Sequence, residues 1–310
     1  MSTSQLRFRR KIGDALYGEV MECELHPRSK PIHQLSSLPL GKQRRIVAVK
    51  CLSIPCALNA RKRVGTARIL DDPLQECQVA ELLANRGGHR NVVNSYYYFQ
   101  EHQCLYLVGE YCADGDLHSH LAAMPNGAMN ERESTQIMRQ VFAGVDYLHR
   151  ELNIAHRDLS LENVLMHNGN CKISDFGLSV SAKSRCVERV GKENYMAPEV
   201  VGGEEYDPVK ADIWSLGIMW FIMLTGSPLV SVASRRNNAF LAVEQWGVST
   251  VFASWKVDTK LSARVMNLVS RMLTVDPVKR ISLDEIFKHP CLAEHSVRPQ
   301  SVHYATAIIE

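Results

Sequence analysis

Two short clusters carry the side chains best suited to chemistry in this chain. In His156-Arg157-Asp158 a carboxylate sits beside two basic residues, Asn163 follows five residues later, and Asp175-Phe176-Gly177 begins twelve residues beyond that. Asp158 can take a proton from a hydroxyl, while Asn163 and Asp175 offer the hard oxygen donors that magnesium prefers. A base and two metal ligands on neighbouring loops are the equipment for moving a phosphoryl group from ATP to a hydroxyl. One tripeptide proves little, because Asp-Phe-Gly is also an ordinary turn sequence. Here further motifs stand in order around it: Val47-Ala48-Val49-Lys50 upstream, then Ala197-Pro198-Glu199 and Asp212-Ile213-Trp214-Ser215-Leu216-Gly217 downstream.

With this set in place, roughly residues 8–295 resemble a eukaryotic protein kinase domain of the serine/threonine type, with a Ser where that type has its catalytic-loop Lys. The resemblance implies an α+β, two-lobed fold: a small strand-rich N-terminal lobe with one key helix, and a larger, mostly helical C-terminal lobe. It divides the chain into a basic extension (1–7), the first lobe (8–110), a hinge with the second lobe (111–295) and a tail (296–310). It also implies ATP and Mg²⁺ as cofactors, a protein substrate, and transfer of the γ-phosphate to Ser or Thr hydroxyls.

The elements that must position ATP are legible in outline. Ile12-Gly13-Asp14-Ala15-Leu16-Tyr17-Gly18-Glu19-Val20 resembles a glycine-rich loop, in which missing side chains let backbone N–H groups approach phosphates; Ala15 stands where the family has its second glycine. Lys50 is expected at the α and β phosphates, held by an acid on the next helix. Glu76 is that acid, because Glu76, Val79, Ala80 and Leu83 share one helical face; Glu81 is the alternative. Val20, Ala48 and Leu165 match the apolar positions around adenine, and equally suit plain core packing. Tyr106-Leu107-Val108-Gly109-Glu110-Tyr111-Cys112 resembles the strand leading into the hinge, whose backbone recognises adenine. Gly109 takes the gatekeeper position, normally bulky; the other reading is a β-bulge glycine. Asp116 suits the ribose hydroxyls or a basic substrate residue.

Two substitutions depart from the family. Ser160 replaces the lysine two residues after the base, and Lys192, after Gly191, replaces a threonine. These positions are neighbours in the family, so the expectation is an exchange in which Lys192 supplies the cation and Ser160 the hydroxyl. Independent drift toward weak activity is the alternative. Glu188, three residues before Gly191, occupies the place of an activating phosphothreonine and can pair with Arg157, or is an exposed loop acid; Ser179, Ser181 and Ser184 are alternative phosphosites. The resemblance further implies a Glu199–Arg280 ion pair and Asp212 bonded to the loop of His156.

Composition narrows the classes. At 310 residues and 45% hydrophobic content the chain can build two lobes, and a net charge of +3 argues for neither nucleic acid nor membrane as partner. Ser2-Thr3-Ser4-Gln5 and the basic residues up to Lys11, with no apolar run, read against a signal peptide. Nine cysteines without CxxC pairs suit reduced thiols in an intracellular, cytoplasmic or nuclear, setting. The longest apolar stretch, 213–224, is too short to span a bilayer and reads as a buried helix. Pro27, Pro31, Pro39 and Gly41 mark one insertion, and 51–71 a second, whose Arg61-Lys62-Arg63 reads as a solvated loop or, less simply, a docking or nuclear-targeting patch. Asp72-Pro73 starts a helix that Gly87-Gly88 stops; residues 96–99 and 105–111 alternate as strands; and Asn130 with Glu133 caps a helix carrying Ile137, Val141, Val145 and Leu148 on one face. The competing functional readings are a pseudokinase-like nucleotide-binding scaffold, against which Lys50, Asp158, Asn163 and Asp175 all stand, and a small-molecule kinase, disfavoured by Ala197-Pro198-Glu199. A regulatory partner is not encoded in any motif.

Overall fold

The computed structural model describes residues 2–26, 45–64, 71–257 and 259–293. Five antiparallel strands form the N-terminal sheet: β1 (Leu6–Ala15), β2 (Gly18–Leu25), β3 (Arg45–Ser53), β4 (Ser95–Glu101) and β5 (Cys104–Glu110), in the order β1-β2-β3-β5-β4. Alternation explains which side of β3 is which. Val47 and Val49 are fully buried in a cluster with Leu6, Cys23, Phe99 and Val108, so Ala48 and Lys50, one residue out of phase, face the opposite side. Leu6 belongs to that core and Arg7 pairs with Glu24, so the sheet takes in two residues that the sequence assigns to a basic extension.

Two helices flank the sheet. Helix α1 (Ile54–Val64) corrects the expectation of a loop over 51–71. Ser53 Oγ accepts a hydrogen bond from Cys56 N at 3.3 Å, Pro55 suits a first turn, and Ala57 is buried against Tyr17, Leu52 and Leu105. Helix α2 (Pro73–Asn85) starts as expected, with the Asp72 side chain accepting from Leu74 N at 2.9 Å and Pro73 in the first turn. Its Glu76, Val79, Ala80 and Leu83 are buried on one face, whereas Glu81 is exposed on the other. The Pro/Gly insertion at 27–44 and the tail beyond 295 lie outside the described residues.

The second lobe is built on helices. After α3 (Leu117–Ala122), α4 (Glu131–Asp146) is capped by Asn130, whose Oδ1 accepts from Glu133 N at 2.9 Å, and it continues through a wider turn over Tyr147–Glu151. Ile137, Val141, Val145 and Leu148 are buried as their spacing requires. Short strands follow: β6 (Ile154–Ala155) pairs with β9 (Val180–Ser181), and β7 (Val164–His167) with β8 (Asn170–Ile173). Then come α5 (Pro198–Gly202) and α6 (Pro208–Thr225), the latter apolar all round and buried along nearly its whole length, Trp214 and Trp220 included. Helices α7 (Asn238–Trp246), α8 (Val248–Ser254), α9 (Ala263–Met272), α10 (Leu283–Lys288) and α11 (Pro290–Ala293) complete the lobe. Among the described residues no helix is long and apolar enough to cross a membrane. The sheet and the helical lobe thus form the two-lobed α+β architecture expected of the sequence.

Candidate active site

A buried carboxylate organises the loop between β6 and β7. Asp212, at the start of α6, accepts from His156 N and Arg157 N at 2.8 Å each and lies 2.8 Å from His149 Nε2. Burial alone would raise the Asp212 carboxyl, but the His149 hydrogen bond and the neighbouring donors outweigh it and hold it below the ordinary carboxylate range. This anchoring fixes Arg157 at φ 66°, a left-handed conformation that a non-glycine residue keeps only when its surroundings impose it. Asp175 has φ 64° and is tied in from another direction. Ser174 N donates to Asn163 O at 2.9 Å and His156 Nε2 lies 3.0 Å from Ser174 O, so the two loops form one unit.

On this frame the expected residues converge. Asn163 Nδ2 donates to Asp158 O at 2.7 Å and to Asp158 Oδ2 at 2.8 Å, which leaves the amide oxygen of Asn163 as its donor for a metal. Burial raises the Asp158 carboxyl, with Lys192 and His156 pulling against it. Lys50 Nζ lies 2.8 Å from both Glu76 oxygens and 3.0 Å from Asp175 Oδ1. Burial disfavours the Lys50 charge, yet these carboxylates push its pKa up. Asp175 goes the other way, as the Lys50 charge overcomes burial and keeps it ionised. Burial pushes Glu76 up to about 7. Among the described residues no group of three His, Cys, Asp or Glu side chains is placed to hold a metal by itself. An ionised Asp175 plus the Asn163 amide oxygen suits a divalent ion that takes its remaining ligands from water and phosphates, as Mg²⁺ does, so the residues present fit it.

A cavity of about 520 Å³ opens above this unit. Ile12, Gly13, Val20, Ala48 and Leu165 line it, together with Glu110 and Cys112 of the hinge and Asp116. Both Asp116 oxygens are engaged by Ser119, at 2.7 Å to N and 2.9 Å to Oγ, so the residue caps α3 as well as facing the cavity. Ala15 and Gly18 do not line it, contrary to expectation. They pair with each other where β1 turns into β2, Ala15 packs against the cluster of Tyr17 and Leu52, and a Cβ at Gly18 would come within 1.9 Å of Cys51 O. Close strand packing by itself requires a glycine there.

Gly109 lies beside the cavity and opposite, not within, a bulge of the neighbouring strand. It lines the cavity, which extends behind it toward Ala80, Leu83, Leu107 and Phe176, and it faces a register shift in β4 between Ser95 and Tyr97. A Cβ at Gly109 would meet Asn94 O at 3.0 Å.

The segment 175–199 closes the floor. Lys192 Nζ donates to Ser160 Oγ at 2.6 Å and lies 3.6 Å from Glu162 Oε2 and 4.0 Å from Asp158 Oδ2. Arg157 Nη1 pairs with Glu188 Oε2 at 3.0 Å while its Nε donates to Leu178 O at 2.8 Å. Of the alternative phosphosites, Ser179 is buried and donates to Phe176 O at 2.7 Å, which removes it from reach of another enzyme. Glu199 and Arg280 form a two-pronged pair at 2.6 and 2.9 Å beneath the segment.

Sequence reasoning passed over the groups that brace the hinge. Asn94 N and Nδ2 donate to Glu110 Oε2 at 3.1 and 3.0 Å, and Lys172 Nζ reaches the same oxygen at 3.0 Å. A lysine between apolar Cys171 and Ile173 was the available signal. Asp71 was passed over too; it lines a second cavity of about 540 Å³ that adjoins Asp158 and Asp175 and is bordered by Tyr17, Cys56 and Val190.

The comparisons agree with this geometry. A protein kinase domain model matches residues 39–292. The serine/threonine-protein kinase GIN4 of Saccharomyces cerevisiae is 35% identical over 211 residues, 67% of this chain and 18% of that protein. CBL-interacting protein kinase 20 of Oryza sativa subsp. japonica is 31% identical over 294 residues, 89% of this chain and 57% of its own length. Serine/threonine-protein kinase 17A of Oryctolagus cuniculus is 29% identical over 311 residues, 94% of this chain and 75% of the rabbit protein. The chain spans less than two thirds of the yeast and rice relatives. Since the family model covers most of the sequence and its motif residues meet at one cleft, the chain belongs to the protein kinase domain family.

Proposed function

We propose that this protein transfers the γ-phosphoryl group of ATP, in the presence of Mg²⁺, to Ser or Thr hydroxyls of protein substrates. The observation that carries this reading is the meeting of Asp158, Asn163 and Asp175 beneath a cavity whose roof presents Lys50 anchored on Glu76. Lys50 orients the α and β phosphates. Asn163 and Asp175 would hold the metal, which would neutralise charge on the phosphates. Asp158 takes the proton of the substrate hydroxyl as its oxygen bonds to the γ-phosphorus. The bond from that phosphorus to the oxygen bridging to the β-phosphate breaks, and its electron pair leaves with ADP. Serine/threonine specificity is supported by the printed names of the yeast and rabbit relatives and by the absence after Asp158 of the Ala and Arg that mark tyrosine kinases.

The test is phosphate transfer to a generic Ser/Thr substrate, with Asp158→Asn as control. A general base contributes about 10²–10⁴-fold, so the variant should fall by at least that much while melting like the wild type. Equal turnover by the two proteins would overturn the reading.

A further inference from the structure

One cation stands beside the base, and it arrives from an unexpected place. The catalytic loop carries Ser160 two residues after the base. Ser160 is fully buried, precedes the short helical turn Leu161–Asn163, and makes no side-chain capping bond to it, so its hydroxyl is available to another group. That group is Lys192 Nζ, at 2.6 Å. Among the described residues, the only ion pair Asp158 makes within 4.0 Å is with this lysine. The other cations nearby are committed elsewhere: Lys50 to Glu76 and Asp175, Arg157 to Glu188 and Leu178 O, and Arg189 to Glu193 at 2.6 Å.

The backbone delivers Lys192 as firmly as the side chain is held. Lys192 N donates to Asp158 Oδ1 at 3.2 Å, and Lys192 O accepts from Tyr195 N at 2.9 Å and Met196 N at 3.1 Å, starting a turn. Tyr195 in turn has its hydroxyl 3.4 Å from Leu161 N in the catalytic loop. Gly191 makes the approach possible: its φ is 92°, and a Cβ there would meet Arg157 O at 2.7 Å. Lys192 is also part-exposed beside Asp158.

We propose that Lys192, carried by the segment 175–199 and steadied by the Ser160 hydroxyl, is a catalytic residue that stabilises the transferring phosphoryl group. This inference rests on the phosphoryl-transfer reading above. As the γ-phosphorus bond to ADP breaks and the bond to the substrate oxygen forms, negative charge spreads over the three equatorial oxygens, and a fixed ammonium beside Asp158 lowers its energy without exchanging a proton. A second lysine at 160 would bring together two ammonium groups that repel. The arrangement ties catalysis to the fold of the segment: when the segment leaves the loop, the cation leaves with it.

The experiment compares wild type, Lys192→Ala, Lys192→Arg and the exchange Ser160→Lys/Lys192→Ser. Turnover and KM for ATP are read alongside the melting shift produced by ADP alone and by ADP with aluminium fluoride, a mimic of the transferring group. Lys192→Ala should lower kcat by about 10²-fold or more with KM for ATP little changed. It should keep the ADP shift and lose the extra shift from aluminium fluoride. Lys192→Arg, which keeps the charge, and the exchange should recover a large part of both readouts. Wild-type turnover by Lys192→Ala, loss of the ADP shift together with activity, or an exchange no better than Lys192→Ala would overturn the proposal. A wild type that responds to nucleotide but transfers no phosphate at all would overturn the kinase reading and this proposal with it.

Discussion

Lys50 and Lys192 are both lysines of the candidate site, one beside Asp175 and one beside Asp158, and they are held in different ways. Lys50, on the roof, is 15% exposed and gripped by both Glu76 oxygens and by Asp175. Lys192, on the floor, is 36% exposed, bonded to a neutral hydroxyl, and no closer than 3.6 Å to a carboxylate. The roof cation sits on a strand that shares a core with the helix of Glu76, its main partner, and Asp175 at the start of the segment 175–199 adds a second carboxylate. The floor cation depends on how the segment 175–199 lies against the catalytic loop. Lys50 is fixed by carboxylates, and Lys192 by one hydroxyl and by the backbone that delivers it.

The largest effect should come from breaking the roof. Lys50→Met removes the phosphate clamp and should lower turnover by about 10²-fold or more, as loss of one well-placed charge does. The fold should survive, because Glu76, already pushed up to about 7 by burial, can take a proton once its cation is gone. A carboxyl whose pKa is raised on folding adds stability at low pH and loses it as pH rises through the folded value. The melting temperature of Lys50→Met should therefore keep falling above about pH 7, where wild-type Glu76 has already lost its proton and that of the variant, freed of the Lys50 charge, has not. A parallel pH profile for the two proteins would show that Glu76 reaches solvent when released, and that the roof is less rigid than its geometry indicates.

A smaller effect should come from loosening the floor at a distance. Glu188 is 37% exposed and Arg157 only 6%, so their pair lies between a surface contact and a buried one. Such a contact is worth about 1 kcal/mol, which corresponds to roughly fivefold in the population of the ordered segment. Phosphatase-treated wild type should stay active, and Glu188→Ala should lose about that factor without being silenced. An enzyme that is inactive until Ser181 or Ser184 is phosphorylated would break the idea that Glu188 stands in for a phosphate.

These regions also differ in how plainly the sequence announces them. Asp158, Asn163 and Asp175 lie on short loops and Lys50 on a strand, and each sits in a motif of fixed residue types and spacing that can be recognised before any fold is known. Helix α2 was legible because Asp72, Pro73 and the stripe from Glu76 to Leu83 are local signals. Helix α1 was not: its basic triplet resembles a loop, and the burial of Ala57 depends on strands far away in sequence. Lys172 and Asn94 were hidden for the same reason, since their shared partner Glu110 lies 62 and 16 residues away. Gly18 shows the converse, in which a loop pattern read from the sequence left out the strand packing that the fold requires there.

The smallest effect on the native reaction, and the sharpest on a foreign ligand, is expected at Gly109. Behind it the cavity continues toward Ala80, Leu83, Leu107 and Phe176, a space on the roof side that phosphoryl transfer does not use. An ATP-competitive compound with an aryl group burying about 100 Å² there gains about 2–3 kcal/mol, or roughly 50-fold in affinity. In Gly109→Met the new Cβ must push Asn94 O back from 3.0 Å by a few tenths of an ångström, and the rest of the side chain fills the space. The compound should lose at least that 50-fold against the variant through steric rejection, while KM for ATP rises only a few-fold, since Lys50 and the floor are untouched. The measurement is inhibition of wild type and Gly109→Met by one such compound at matched ATP saturation. Equal potency would mean that the aryl group does not enter behind Gly109. A collapse of turnover in Gly109→Met would mean that the roof transmits strain from β5 to Lys50, and so is less independent of its surroundings than the comparison with Lys192 requires.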